Sequence, residues 1–246
     1  MQLILWRKQK LSSIITICVV TIVVLVCLRL GYWQLQRAES KTEQLTQIAA
    51  LQSQGVMSWQ QMQQLPSDWN KTGLQISISG VLDTQQYWLL DNQVYQGQVG
   101  YDVLTLLRLQ QSKQTLLVNL GWVKAPLTRQ QLPSINLPST PLAMTVQLKQ
   151  GKLSGFTLQD AQHKTDTAWP KRVQIIDLAL FAQQTGRDMI DFIGYRQGIA
   201  DEIAAPHYQA VVMSPEKHQA YAVQWLLIAI ACLVIAVFAF KKKELQ

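Results

Sequence analysis

Two stretches without a charge, one near each end, constrain this chain more than any other feature. Leu11–Leu28 runs for 18 residues between Lys10 and Arg29, and Gln219–Phe240 for 22 residues between Lys217-His218 and Lys241. A helix that crosses a bilayer needs about 20 predominantly apolar residues, because lipid offers a backbone no hydrogen-bond partner but itself. Both stretches therefore read as membrane-spanning helices. The chain divides into a tail at 1–10, a first span over 11–30, a connecting domain over 31–217, a second span over 218–240 and a tail at 241–246. No small-x-small cleavage site follows the first apolar core, so that span reads as a retained anchor and not as a signal peptide.

The formal charge of +7 belongs to these flanks. Between Gly31 and Lys217 there are 15 basic and 14 acidic residues, a balance of +1, so a nucleic-acid surface is excluded. Arg7, Lys8 and Lys10 before the first span, with Lys241, Lys242 and Lys243 after the second, place both termini in the cytoplasm by the positive-inside rule. The connecting domain then lies outside it. The tail before the first span is too short for a transit peptide, which points to a bacterial cell inner membrane, a multi-pass topology and a periplasmic domain. All three cysteines, Cys18, Cys27 and Cys232, fall in the spans, so the domain has neither a disulfide nor a thiolate metal site.

Helical character continues past the first span. Trp33, Arg37 and Lys41 fall at i, i+4 and i+8, and Glu43 to Gln54 stays helix-compatible until Gly55. Ser58 to Pro66 reads as a short helix with a serine cap and a proline stop. From Gly73 the period changes to two: Leu74, Ile76 and Ile78 alternate with polar residues up to Gly80. Tyr87–Leu90, Val99–Leu109 and Gln114–Val123 continue as strands, with turns expected at Asp91-Asn92 and Gln110–Lys113, in an antiparallel meander. Pro126, Pro133, Pro138 and Pro141 keep the next stretch out of a sheet. Leu142 to Leu148 alternates again. Asp177 to Gln184 is a helix with an aspartate cap and Gly186 beyond its end. Met189–Tyr195 and Tyr208–Val212 are further strand candidates, and Pro215 opens the last helix. The expected fold is a membrane protein with two transmembrane α-helices flanking an extracytoplasmic, mainly antiparallel β (α+β) domain.

Catalytic motifs are missing: there is no Gly-x-Ser-x-Gly, no glycine-rich phosphate loop, no His-x-x-x-His and no Cys-x-x-Cys. The chain therefore does not read as an enzyme. Asp160, His163 and Asp166 sit three apart in a polar segment that reads as a solvated loop and not as a metal site. His207, after Pro206, reads as structural.

His218 is the histidine with a functional context. With Tyr221 at i+3 and Trp225 at i+7, it puts an imidazole and two aromatic rings at the start of the second span. A neutral imidazole is a common axial ligand of haem iron, and flat rings suit a macrocycle. The same rings also suit the aromatic belt found at membrane interfaces. Trp33, Arg37 and Lys41 carry a matching ambiguity. Their cations can snorkel to lipid phosphates, or clamp carboxylates such as haem propionates, for which arginine has a bidentate fork. Ala222, Ala229, Ala236 and Cys232 form a small-residue stripe suited to close packing, on the first span or on another membrane protein.

Several of these segments together resemble one family. Gly31 to Lys41 (Gly-Tyr-Trp-Gln-Leu-Gln-Arg-Ala-Glu-Ser-Lys) resembles the Gly-x-Trp-Gln-Leu-x-Arg-x-x-x-Lys signature of the surfeit-locus-one family. Asp91-Asn92-Gln93, Gly97 and Gly100-Tyr101 are similar to its central Asp-Asn-Arg and Gly-Tyr elements. Leu117 to Val123 is similar to its Val-Asn-Arg-Gly-Trp-Val segment, and His218 to Trp225 to its terminal His-x-x-Tyr-Ala-x-Thr-Trp. Gln93 and Leu120 stand where the pattern has arginine, and Gln224 where it has threonine. The resemblance implies a non-enzymatic, membrane-anchored assembly factor for haem-copper cytochrome c oxidase that assists delivery of haem A to the catalytic subunit. Its partners would be that subunit, haem A synthase and the lipid bilayer. Its transient haem A would be held by His218 on the iron, by Tyr221, Trp225 and Trp33 along the ring, and by Arg37 and Lys41 on the propionates. The alternative is a scaffold that stabilises the oxidase subunit and binds no haem.

Overall fold

An unbroken helix dominates the first fifth of the chain. In the computed structural model, α1 covers Gln2–Gln52, 51 residues, or roughly 75 Å at 1.5 Å per residue. A hydrocarbon core is about 30 Å thick, so α1 extends well beyond its apolar span and carries the Gly31–Lys41 stretch as helix. The model describes residues 2–110, 112, 114–128, 130–151, 153, 168–210 and 213–244, with side chains in the two long helices from 14 to 241. Asp160, His163 and Asp166 lie outside the described residues. α1 ends where Gly55 takes a left-handed φ of 82°.

The last helix covers Pro215–Glu244. Proline at its first position lacks a donor that would find no helical partner there anyway, and the Ser214 carbonyl accepts from the amides of Lys217 and His218. Both long helices have an apolar window with the hydropathy of a membrane span. The fold is two membrane-spanning helices flanking a mixed β domain. The chain forms two compact units, residues 1–46 with 211–246 and residues 47–210, each described on its own terms.

In the second unit β1 (Met57–Ser58) leads into α2 (Trp59–Gln63), where Ser58 and Gln61 form a reciprocal capping box. Then follow β2 (Gln75–Tyr95), β3 (Gln98–Leu109), β4 (Thr115–Lys124), β5 (Leu142–Gln150), β6 (Lys171–Val173), α3 (Leu178–Thr185) and β7 (Met189–Arg196). β2, β3 and β4 make the expected antiparallel meander. β7 then pairs parallel to β4, and β5 bridges β7 to the first half of β2. The sheet thereby closes on itself through these five strands, and β6 pairs the second half of β2 at Trp88–Leu90.

Alternation sorts the side chains into two layers. Leu74, Ile76, Ile78, Val103, Leu107, Leu116, Val118, Met144, Val146 and Phe192 fill the barrel interior. Gly194 clears that layer: a Cβ there would meet Val146 at 3.0 Å. Outside the wall, Trp88, Leu104, Leu106, Leu117 and Ile193 pack under α3. Trp88 stacks on Phe181 with centroids 4.2 Å apart and donates from Nε1 to Gln184 Oε1 at 2.8 Å.

Three sequence expectations change. The strands expected at 74–79 and 87–90 are one bent strand, β2, with a bulge where Asp83 Oδ1 accepts from the amides of Gln85 and Gln86. The turn expected at Asp91-Asn92 is a second bulge within β2. Asn92 takes φ 60°, and its amide donates to the Asp91 carboxylate. The hairpin instead turns at Gln96-Gly97, with φ of 49° and 75°, the two-residue loop that suits twisted strands. Finally, Tyr208 is not in a strand. Its ring stacks on Tyr195, centroids 3.6 Å apart, and burial pushes its phenol up to about 12; Val211 and Val212 lie outside the described residues.

The segment after β7 is fastened to the barrel at several points. Arg196, itself buried, forms a two-pronged ion pair with Asp201 at 2.7 and 3.1 Å and donates to the Ala204 carbonyl at 2.6 Å. Ala205 exchanges backbone hydrogen bonds with Trp122, against Gly121, where a Cβ would come within 2.5 Å of the Ala205 carbonyl and φ is 122°. His207 Nε2 lies 2.6 Å from the buried Asp102 carboxylate, whose other oxygen accepts from Asn119 at 2.7 Å.

Two outcomes follow. Gly121→Ala should destabilise the domain by about 2 kcal/mol or more, since it meets both a positive φ and a backbone clash; a thermal melt in detergent reads this. Burial opposes ionisation of Asp201, but the Arg196 guanidinium and the amides of Ile203 and Ala204 hold its carboxyl below the ordinary range. A depressed carboxylate stabilises the fold above its unfolded pKa of about 4 and loses that contribution as pH falls through the lower folded value. Asp201→Asn should cost about 1 kcal/mol at pH 7, discounted for the half-exposed carboxylate. The gap to wild type should close below about pH 4.

Candidate functional site

Within the helical unit, α1 and α4 meet through a seam of small residues. On α1, Cys27 and Ala38 are buried, with Gly31 and Gln34 half-buried between them; on α4, His218, Ala222 and Ala229 are buried and Trp225 is half-buried. Alternating steps of four and three place each set on one side of its helix. The contacts pair early residues of one helix with late residues of the other. A Cβ on Gly31 would lie 3.5 Å from the Ala222 carbonyl and 3.6 Å from Trp225 Cβ, and Gln34 reaches His218. The helices are therefore antiparallel here, and the small-residue stripe of α4 meets α1 at Gly31.

His218 is 8% exposed, and its Nδ1 lies 2.7 Å from Gln34 Oε1. Among the described residues no partner is found for its Nε2. The carboxamide supplies one partner across the seam and leaves one ring nitrogen for another.

The other predicted side chains divide between seam and surface. Trp225 shares the seam with His218, while Tyr221, one step round the helix, is 46% exposed. On α1, Trp33 is also exposed, and the Arg37 guanidinium lies 5.8 Å from the centre of its ring, a geometry worth about 0.5–1 kcal/mol at an exposed site. Lys41 is half-buried and donates from Nζ to Gln44 Oε1 at 3.2 Å. Neither cation is ion-paired among the described residues, so each stays free to meet an anion. In the sequence Gln34 lies within the Gly31–Lys41 motif. Its sequence signal is a polar residue between small ones on a helix face.

In the barrel unit, Leu120, where the family pattern has arginine, is fully buried in the interior. Gln93 is turned back on its own strand, donating to the Asp91 carbonyl, while its own carbonyl accepts from Trp122 Nε1. These positions supply no cation here. Among the described residues no cluster of three or more histidine, cysteine, aspartate or glutamate side chains could hold a metal ion. A cavity of about 370 Å³ opens beside Trp59, Met62, Lys71, Met189 and Phe192.

Gly31 sets how closely the helices approach. Gly31→Ala should be tolerated, since its Cβ makes ordinary contacts, whereas Gly31→Leu should force the helices apart and cost about 1–3 kcal/mol. Melting temperatures of the two variants in detergent separate these outcomes.

Compared with known proteins, residues 21–230 match the model of the SURF1 family, a span that includes both Gln34 and His218. No curated protein matches the chain.

Proposed function

This chain belongs to the SURF1 family, whose members are cytochrome c oxidase assembly factors, and from that premise we propose that it carries haem A to the catalytic subunit of the oxidase. The observation that carries this reading is His218. An imidazole kept in a seam of small residues, with one nitrogen held and the other unpartnered among the described residues, would suit reversible binding of a haem iron. When bound, the iron would supply the Lewis acid, and the protein would supply the ring nitrogen of His218 and its surroundings. Trp225 lies on the same seam, and Tyr221 and Trp33 offer ring faces on the outside of the pair. Arg37 and Lys41, held by a ring and an amide, can turn to the propionates without giving up an ion pair. A carrier must also release its cargo, which a single exchangeable ligand permits.

In this reading the helices sit in a bacterial inner membrane with both termini cytoplasmic and the barrel periplasmic. Haem A synthase is the donor and the oxidase catalytic subunit the acceptor. The role is non-enzymatic. A second reading, a scaffold that stabilises the oxidase subunit without haem, is favoured by the outward placement of Trp33, Arg37 and Tyr221, which is also that of an interfacial belt.

Purification from a host that makes haem A, followed by an absorption spectrum, tests the choice. The carrier reading expects a Soret band that falls at least about tenfold in His218→Ala, since loss of even the partner of a metal-binding histidine costs about 10–100-fold. It also expects weaker haem retention in the double variant Arg37→Ala, Lys41→Ala, with membrane insertion unchanged. Haem-free wild-type protein that still co-purifies with the oxidase subunit would favour the scaffold. Retention unaffected by the double variant would return both cations to lipid.

A further inference from the structure

We infer that Gln34 is a positioning residue for His218: it selects the tautomer with the proton on Nδ1 and so keeps Nε2 as the lone-pair donor toward the metal centre of the cargo. The inference rests on the carrier reading and deepens it. A neutral imidazole has one N–H and one lone pair, and only the lone pair binds metal. A carboxamide oxygen can only accept, so with Gln34 Oε1 turned to His218 Nδ1 at 2.7 Å the tautomer that suits the contact is the one with its proton on Nδ1. Nε2, which has no partner among the described residues, is then deprotonated and available.

The surroundings of Gln34 support a purpose for it. It stands between Gly31 and Ala38 on the side of α1 that carries buried Cys27 and Ala38. An apolar residue would pack there without the cost of desolvating an amide. Gly31, one turn earlier, lets α4 come close at Ala222 and Trp225, and that approach brings the carboxamide within reach of the ring. Partners of this kind fix the tautomer and orientation of metal-binding histidines and tune their basicity. A carboxylate in this position would push the ring toward imidazolate and strengthen the bond to metal. A neutral carboxamide orients the ring and adds little donor strength, which suits a cargo that has to be handed on.

The test uses the full chain in lipid nanodiscs with ¹⁵N-labelled histidine, first without haem. Long-range ¹H–¹⁵N spectra of wild type should show His218 with Nε2 unprotonated. Gln34→Leu, close in size and better suited to an apolar seam, should shift the ring to a mixture or to Nε2–H, while Gln34→Glu should restore the wild-type tautomer. With ferric haem loaded, release to apomyoglobin should be about 10–100-fold faster in Gln34→Leu, the range seen when the partner of a metal-binding histidine is lost. Release should be slower than wild type in Gln34→Glu, whose haem should also have a lower midpoint potential. An Nε2–H tautomer in wild type, or a Gln34→Leu protein unchanged in both tautomer and release, would overturn the inference. Wild-type protein that takes up no haem would overturn the carrier reading and with it the metal-directed purpose of Gln34, while the tautomer, read without haem, separately decides whether Gln34 sets the His218 ring.

Discussion

A polar side chain between two membrane helices has to find its partners within the protein, and the contact between Gln34 and His218 meets that requirement. Everything proposed for the helical unit depends on it. The apolar spans oblige α1 and α4 to be helices, and helical spacing sets Gln34 in line with Gly31 and Ala38, and His218 in line with Ala222 and Trp225. Small residues on both lines let the backbones approach. Without that closeness the imidazole and the amide would each be a polar group buried in an apolar seam with nothing to bond. With it, one nitrogen is held and the other is left without a partner among the described residues, and the proposed bond to the cargo would use that second nitrogen.

The barrel unit meets a different demand by the same kind of arithmetic. A sheet with free edges invites pairing with other chains, and β5 closes this one by joining β7 to β2. The segment from Arg196 to Tyr208 is then held to the wall by an ion pair, a backbone bridge, a histidine–aspartate contact and a stacked tyrosine pair. Where the family pattern has arginine, this chain buries Leu120 in the barrel and folds Gln93 back on its own strand. These two positions therefore offer no cation to an anionic ligand.

Much of the fold was legible because the signals are local. Charge-free runs of span length, the Ser58 capping box, the Asp177 cap with Gly186 after α3, and strict alternation in β2 and β5 all act within a few residues. The closure of the barrel was not, since a parallel pairing between β4 and β7 joins distant segments and leaves no local trace. The hairpin was misplaced for a subtler reason. Asp91-Asn92 has good turn chemistry, but a bulge uses the same residues, and only the cross-strand register tells the two apart. In the helical unit, spacing sets His218, Tyr221 and Trp225 near one another on α4, yet spacing does not say which side of α4 faces α1. That side runs through Ala222 and Ala229, which leaves Tyr221 outside. Gln34 stood in full view within a motif, and only its contact across the seam gives it a role.

The central claim is that the His218 ring nitrogen binds the iron of the carried haem. Pulsed electron–nuclear spectroscopy on the ferric, haem-loaded chain, prepared with ¹⁵N-histidine against unlabelled haem, reads that bond directly. The account predicts one strongly coupled histidine ¹⁵N in wild type that disappears in His218→Ala. A loaded wild-type protein with no strongly coupled histidine nitrogen, or a coupling that survives in His218→Ala, would contradict it.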